Sequence, residues 1–188
     1  MNDKLTWKEE SRKVILNTPV FNIEERICIS PYGKSGKFNV IDTRDWAMVI
    51  PLLERGNDKK FVMVRQWRVG AGEMSLEFPG GVFEEGEDPA QAAERELIEE
   101  TGYRPLKFEK LGEFSPNPAI MSNRIHFFLA LDLKDPIKQD LDPNEFVDVE
   151  LISWDELFFG MGTAPYIHAL TATALMLYMQ KKGNNDNF

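Results

Sequence analysis

A mixed α/β (α+β) fold in which strands outnumber helices is the architecture this sequence predicts, on three observations. Much of residues 14 to 154 reads as short β-branched or alternating segments separated by turn residues. One strongly acidic segment around residue 95 carries helix signals, and a second helical pattern lies near the C-terminus. These helices do not alternate regularly with the strands, so a doubly wound parallel sheet is not expected.

Each element has its own reason. "VILNTPVFNIEERICIS" is rich in β-branched residues, "PYGKSGK" is a turn, and "FNVID" resumes an extended pattern. "WAMVIPLLE" and "KFVMVRQWRV" flank the turn-forming "RGNDKK" and predict a hairpin with a buried apolar face. "MSLEFPGG" is a short strand closed by a Pro-Gly-Gly turn. Asp88 before Pro89, with Gln91 in the capping-box position, marks a helix start, and Gly102 suits its end, giving a helix over 89–101. "KFEKLGEFS", "RIHFFLALDL" and "FVDVELISW" follow as strands, and Ser153 with Glu156 begins another helix. Ile167, Leu170, Ala174 and Leu177 recur at helical spacing within a stretch from 164 to 182 that stops at Gly183. Residues 184–188 are expected to form a disordered tail.

At 188 residues the chain is one domain, or one domain with an extension. Its net charge of -9 argues against nucleic acid as a partner, because phosphate backbones need clustered Lys and Arg. A small phosphorylated ligand stays open, provided something cationic mediates. The single cysteine, Cys28, cannot form an internal disulfide, which fits a reducing, cytoplasmic setting. The opening "MNDKLTWKEESRK" lacks the apolar core of a secretory signal, and no run of about eighteen apolar residues exists, so no membrane partner is expected.

The acidic helix holds the chemistry. At about 100° per residue, Ala90, Ala93 and Leu97 form a buried stripe, and Glu96, Glu99 and Glu100 fill an arc of about 100° beside it. Like charges at these spacings cost on the order of a few tenths of a kcal/mol per pair. Arg95 is the nearby intrahelical cation and is expected to point to another side. A solvated acidic face is the bland reading. Carboxylates at the margin of a core instead ask for a hard divalent cation, and an oxygen-only donor set favours Mg2+ or Mn2+ over zinc.

From Gly81 the chain runs through five residues to Glu87, then seven residues to Arg95-Glu96-Leu97-Ile98-Glu99-Glu100-Thr101-Gly102-Tyr103. This resembles the Nudix box of the MutT-like pyrophosphohydrolases at every defined charged and glycine position; Tyr103 stands where an aliphatic residue is usual. The resemblance implies an α/β/α sandwich with a mixed β-sheet, here spanning 44–183 with a β-rich N-terminal extension over 1–43. It implies that Glu96 and Glu100 are the main magnesium ligands, that Glu99 bridges or serves a further ion, and that the carbonyl of Gly80 is a backbone ligand. Glu87 and Arg95 would form a supporting ion pair. The implied activity is hydrolysis of a nucleoside diphosphate linked to another group.

The flanks resemble the ADP-ribose pyrophosphatase branch. "VRQWR" followed by "LEFPGG" makes Arg68 a candidate phosphate contact. Pro118 stands fifteen residues past Tyr103, at the branch's proline, and Ser122-Asn123-Arg124 follows where the branch often has Ser-Glu-Arg. Asn123 cannot supply the charge of that glutamate, which keeps GDP-mannose or another nucleotide sugar open beside ADP-ribose. Arg124 is a candidate contact to a phosphate or a box carboxylate. Glu145 occupies the loop position of the branch's catalytic carboxylate; the alternative base is Glu99. Trp46, Tyr32 and Phe38 are the aromatics available for base stacking, and Trp46 is preferred because it opens a strand. The branch also implies a homodimer in which the N-terminal region helps line the site. A non-catalytic nucleotide-sugar sensor on the same fold is the alternative of another class. His126 and His168 have no second His or Cys at ligand spacing, so neither a zinc site nor a Ser/Cys-His site is expected.

Overall fold

The computed structural model describes residues 4–185. The described residues form two compact units, one within residues 4–45 and 115–124, the other within 46–114 and 125–185.

The first unit is built on an antiparallel sheet of β1 (Lys8–Asn17), β2 (Asn22–Ile29) and β3 (Ser35–Asp42), in that order. The tight turn after β1 is held by the Thr18 hydroxyl, which accepts from Phe21 N and donates to Phe21 O. Strand β1 starts in "KEESRK", which hydrophobic patterning does not recognise as a strand. Its charges are matched across the ladder, with Lys13 Nζ 3.0 Å from Glu25 Oε1. Residues 115–124 join this unit through a parallel bridge between Ile41 and Met121, and Arg124 N donates to Asp45 Oδ1 at 2.8 Å.

The second unit contains a mixed six-stranded sheet. Its strands are β4 (Trp46–Arg55), β5 (Asp58–Arg68), β6 (Glu73–Glu77), β7 (Lys107–Phe114), β8 (Ile125–Leu131) and β9 (Asp148–Ser153). The order is β6-β5-β4-β8-β7, with β9 also paired to β5. Strand β4 is parallel to β8, and the expected β4–β5 hairpin is present, turning at Gly56 with φ +63. Pro51 falls where β4 exchanges β8 for β5 as partner, so its missing N–H coincides with a change of ladder.

Central strands buried on both faces read as continuous apolar runs, and β4 does so. Ala47 and Val49 pack with Phe128, Ala92, Ala93 and Leu97, on the face covered by α1 (Pro89–Thr101). Met48 and Ile50 pack with Phe127, Leu157, Leu175 and Tyr178, on the face covered by α2 (Trp154–Gly160) and α3 (Ala169–Asn185). The result is an α/β/α sandwich. Tyr103, the departure from the usual box, is buried against Leu53 and Val62.

Helix α1 has the expected bounds. Asp88 accepts from Ala90 N, Pro89 opens the first turn, and Gly102 at φ +74 donates to Ile98 O. A Cβ on Gly102 would also lie 2.0 Å from Ile137 O, so both conformation and space require glycine. Ser153 caps α2 through Glu156 N. Helix α3 departs from expectation at both ends. It begins at Ala169, not 164, because Pro165 O is engaged by Leu76 N of β6 and by Ile167 N in a turn. It continues through Gly183, which is not in the left-handed conformation that ends helices, so residues 184 and 185 of the expected tail are helical. Residues 186–188 lie outside the described residues.

Candidate active site

The site is assembled in the second unit where the loop after β6 lies between β4 and α1. Val49 N donates to Pro79 O, and Ala47 and Gly81 exchange backbone hydrogen bonds at 2.9 and 3.1 Å. This close approach explains the paired glycines. A Cβ on Gly80 would stand 2.2 Å from Ala47 O, and one on Gly81 would stand 2.4 Å from Glu96 Oε1. The loop therefore presses its backbone onto two carboxylates. Gly80 N donates to Glu100 Oε2 at 2.8 Å.

Glu100 is 3% exposed and burial pushes its pKa up to about 8, with Glu96 and Glu145 adding to the rise and the Gly80 hydrogen bond opposing it. Burial likewise lifts Glu96 to about 7; Arg95 opposes this, while Glu99 and Glu145 add to it. A buried and a partly buried carboxyl raised toward neutrality by burial and by neighbouring carboxylates are typical of functional sites. The same effects place the charge of Glu145 within reach of both. Glu145 sits in a turn with Asp142, and its loop is tied to the end of α1 by Asp140 N donating to Glu99 O at 3.0 Å.

Arg95 corrects the sequence reading. It does not point away from the acidic arc: Nη1 donates to Glu96 Oε1 and Glu99 Oε2, both at 2.9 Å. Its Nε and Nη2 grip Glu87 at 2.9 and 3.0 Å, the pair that the box implied. A long side chain on an adjacent helical position can curl back along the surface, which simple angular projection ignores.

Arg68 lies at the end of β5, with its guanidinium clamped to Glu77: Nε to Oε1 at 2.8 Å and Nη2 to Oε2 at 2.6 Å. Glu77 is fully buried. Burial alone would raise its pKa, but Arg68 and His168 outweigh that and hold it well below the usual carboxylate range. Nδ1 of His168 stands 2.9 Å from Glu77 Oε2, though not aligned as a hydrogen bond. Glu100 and Glu145 also act on Arg68, so this cluster adjoins the acidic one. Sequence reasoning missed Glu77 and His168. The signal was available: a carboxylate between Leu76 and Phe78 in an apolar strand must have a partner.

Trp46 is half-buried at the start of β4 and packs against the core, with its backbone bridged to Val82. Pro118 and Arg124, both exposed, belong to the first unit. Asn123, also in that unit, is buried with neither side-chain polar atom hydrogen-bonded.

The donors fit a hard divalent cation. Glu96, Glu99 and Glu100 offer carboxylate oxygens along one edge of α1, and Glu100 is buried beside Gly80 N with no guanidinium bond. Among the described residues, no three acidic, His or Cys side chains converge as a ready-made cage. The hydrogen bonds give the reason: Arg95 holds Glu96 and Glu99, while Gly80 N holds Glu100.

The chain is similar to several known proteins. The NUDIX domain family matches residues 43–171. An ADP-ribose pyrophosphatase of Bacillus subtilis (strain 168) is 33% identical over 153 residues, 81% of this chain and 80% of the relative. A methanol dehydrogenase activator of Bacillus methanolicus is 36% identical over 127 residues, 67% of each chain. A crystal structure of an ADP compounds hydrolase superposes with a TM-score of 0.84 at 20% identity, covering 100% of this chain and 99% of the other.

Proposed function

The chain belongs to the Nudix family, and from that premise we propose a magnesium-dependent hydrolase that cleaves ADP-ribose to AMP and ribose 5-phosphate. It is a Nudix hydrolase acting on nucleoside diphosphate derivatives, and the family uses divalent metal ions. One observation carries the reading: the buried Glu100 and the partly buried Glu96, both electrostatically raised, flank a glycine loop beside a phosphate-competent arginine and a loop carboxylate.

Glu96, Glu99, Glu100 and the Gly80 carbonyl would hold Mg2+, or Mn2+ with the same oxygen donors, which when bound neutralises diphosphate oxygens and acidifies water. Arg68 spends two of its N–H groups on Glu77 and offers the rest of its fork to a phosphate. Glu145 accepts a proton from water as it attacks phosphorus and the anhydride P–O bond breaks. Glu99 serves less well as base because it is tied to Arg95. Glu87 and Arg95 pin the loop to the helix, and Trp46, Pro118 and Arg124 are the remaining proposed substrate contacts.

We assign to residues 1–43 a role in a homodimer. Supporting this, every residue of β1 is exposed, including Val14, Ile15 and Leu16. Sedimentation equilibrium tests it, and a monomer at micromolar concentration would contradict it. No described helix is long and apolar enough to cross a membrane, and a cytoplasmic location is proposed from the single free thiol.

The deciding experiment compares catalytic efficiencies with magnesium for ADP-ribose, GDP-mannose, dinucleoside polyphosphates and NADH. ADP-ribose is expected to lead, with turnover lost on chelation and in Glu96→Gln. A faster GDP-mannose reaction would overturn the substrate but not the family. A sensor would keep its function after Glu96→Gln.

A further inference from the structure

The carboxylate of Glu77 is fully buried, yet it joins two side chains that are not: Arg68 is 43% exposed and His168 is 30% exposed. Arg68 takes both oxygens, and His168 Nδ1 approaches Oε2, the oxygen that also accepts from Arg68 Nη2. A carboxylate has about four acceptor directions, so one oxygen can serve both. Whatever fixes Oε2 fixes the plane of the guanidinium.

The placement of His168 is built in. Leu76 N, one residue before Glu77, donates to Pro165 O at 2.9 Å, and Thr171 N donates to His168 O at 3.0 Å in the turn entering α3. The backbone just before His168 is therefore tied to the strand that carries Glu77, and His168 itself is held by its own helix-entry turn. Nδ1 itself is buried and has no aligned hydrogen bond. A buried, unpaired ring nitrogen is costly unless it interacts with the group it faces, and that group is Glu77.

We propose that His168 is a positioning residue for Arg68, acting through Glu77 Oε2 to hold the guanidinium where it meets a substrate phosphate. This rests on the reading of Arg68 as a phosphate contact. His168 touches no substrate in this scheme. It supplies a nitrogen at one point in space, and the ring around that nitrogen is incidental.

That distinction is testable. His168→Asn keeps a nitrogen donor near the Nδ1 position and loses the ring; His168→Phe keeps the ring and loses the nitrogen. With magnesium and ADP-ribose, Phe is expected to raise KM about 2- to 10-fold, the worth of one close polar contact, with little change in kcat or melting temperature. Asn is expected to stay within about twofold of the parent. Where Phe does not fold, His168→Leu gives the same nitrogen-free reading. The double variant Glu77→Gln/His168→Phe should show no larger KM than Glu77→Gln alone, because both act through one carboxylate. A tolerated Phe with an impaired Asn would mean ring packing and overturn the proposal, as would equal effects in both. Arg68→Lys separates the two failures. If it raises KM while His168→Phe does not, only the role of His168 falls; if Arg68→Lys leaves KM unchanged, the phosphate contact falls with it.

Discussion

Replacing Glu100 with glutamine should make the metal-free protein more stable in alkaline solution while abolishing turnover. Glu100 is buried, its ordinary pKa of 4.5 is lifted to about 8, and burial is the main cause. A carboxyl raised in the folded state contributes its stability below the ordinary value and loses it as pH climbs through the folded value. Each pH unit in that interval is worth about 1.4 kcal/mol, so the ceiling for this group is about 5 kcal/mol. Glu96, raised to about 7, ionises over the same range and shares the cost. The glutamine amide oxygen can still accept from Gly80 N, so the replacement removes the charge without orphaning the loop. A realised gain on the order of 2 kcal/mol at pH 9 is therefore expected, falling to near zero at pH 5, where the native carboxyl is itself protonated. Urea unfolding in EDTA at pH 5, 7 and 9 measures both. A variant less stable than the parent at pH 9, or a gap indifferent to pH, would refute the idea that this charge is buried at a cost.

Three further outcomes follow from the same geometry. Gly80→Ala forces a Cβ against the Ala47 backbone and should cost about 1–3 kcal/mol in denaturant unfolding, whereas Gly81→Ala meets only the end of Glu96 and should cost less while still lowering kcat. Glu145→Gln should lower kcat by about 100-fold or more with KM little changed, and by more than Glu99→Gln does, if the loop carboxylate is the base; steady-state kinetics on both variants decides it. Arg95→Lys keeps the charge but loses the fork that joins Glu87, Glu96 and Glu99. Because Arg95 is only a quarter exposed, a loss of about 1–2 kcal/mol is expected by thermal or urea unfolding, and an unchanged midpoint would contradict a structural role.

What could be read from the sequence divides along physical lines. Helix α1 was legible to the residue because Asp88, Pro89 and Gly102 act locally, each through its own backbone neighbours. The β4–β5 hairpin was legible because a local turn separates two apolar runs. The first half of β1 was hidden because its stability comes from pairing across the ladder with β2, not from an apolar face. The start of α3 was misplaced because Pro165 is claimed by Leu76, 89 residues earlier in the chain, and no local signal records such a bond. The Arg95 contacts failed for a related reason: angular projection tracks Cβ directions, while a guanidinium is set by what it can reach.

The residues that broke local rules are the ones that gather. Six carboxyl groups, Glu77, Glu87, Glu96, Glu99, Glu100 and Glu145, share the region with two guanidinium groups, Arg68 and Arg95. Each arginine is anchored by carboxylates: Arg68 through Nε and Nη2 to one with no exposure, Arg95 to three glutamates at once. Glu100 has no guanidinium bond and Glu96 shares Arg95 Nη1 with Glu99, and these are the two pushed toward neutral pKa values. A proton and a hard cation are alternative ways of balancing them. A stable apo fold and a cation-ready site are thus consistent with one another, because the carboxyls that would ligate are those that can stay protonated until an ion displaces the proton.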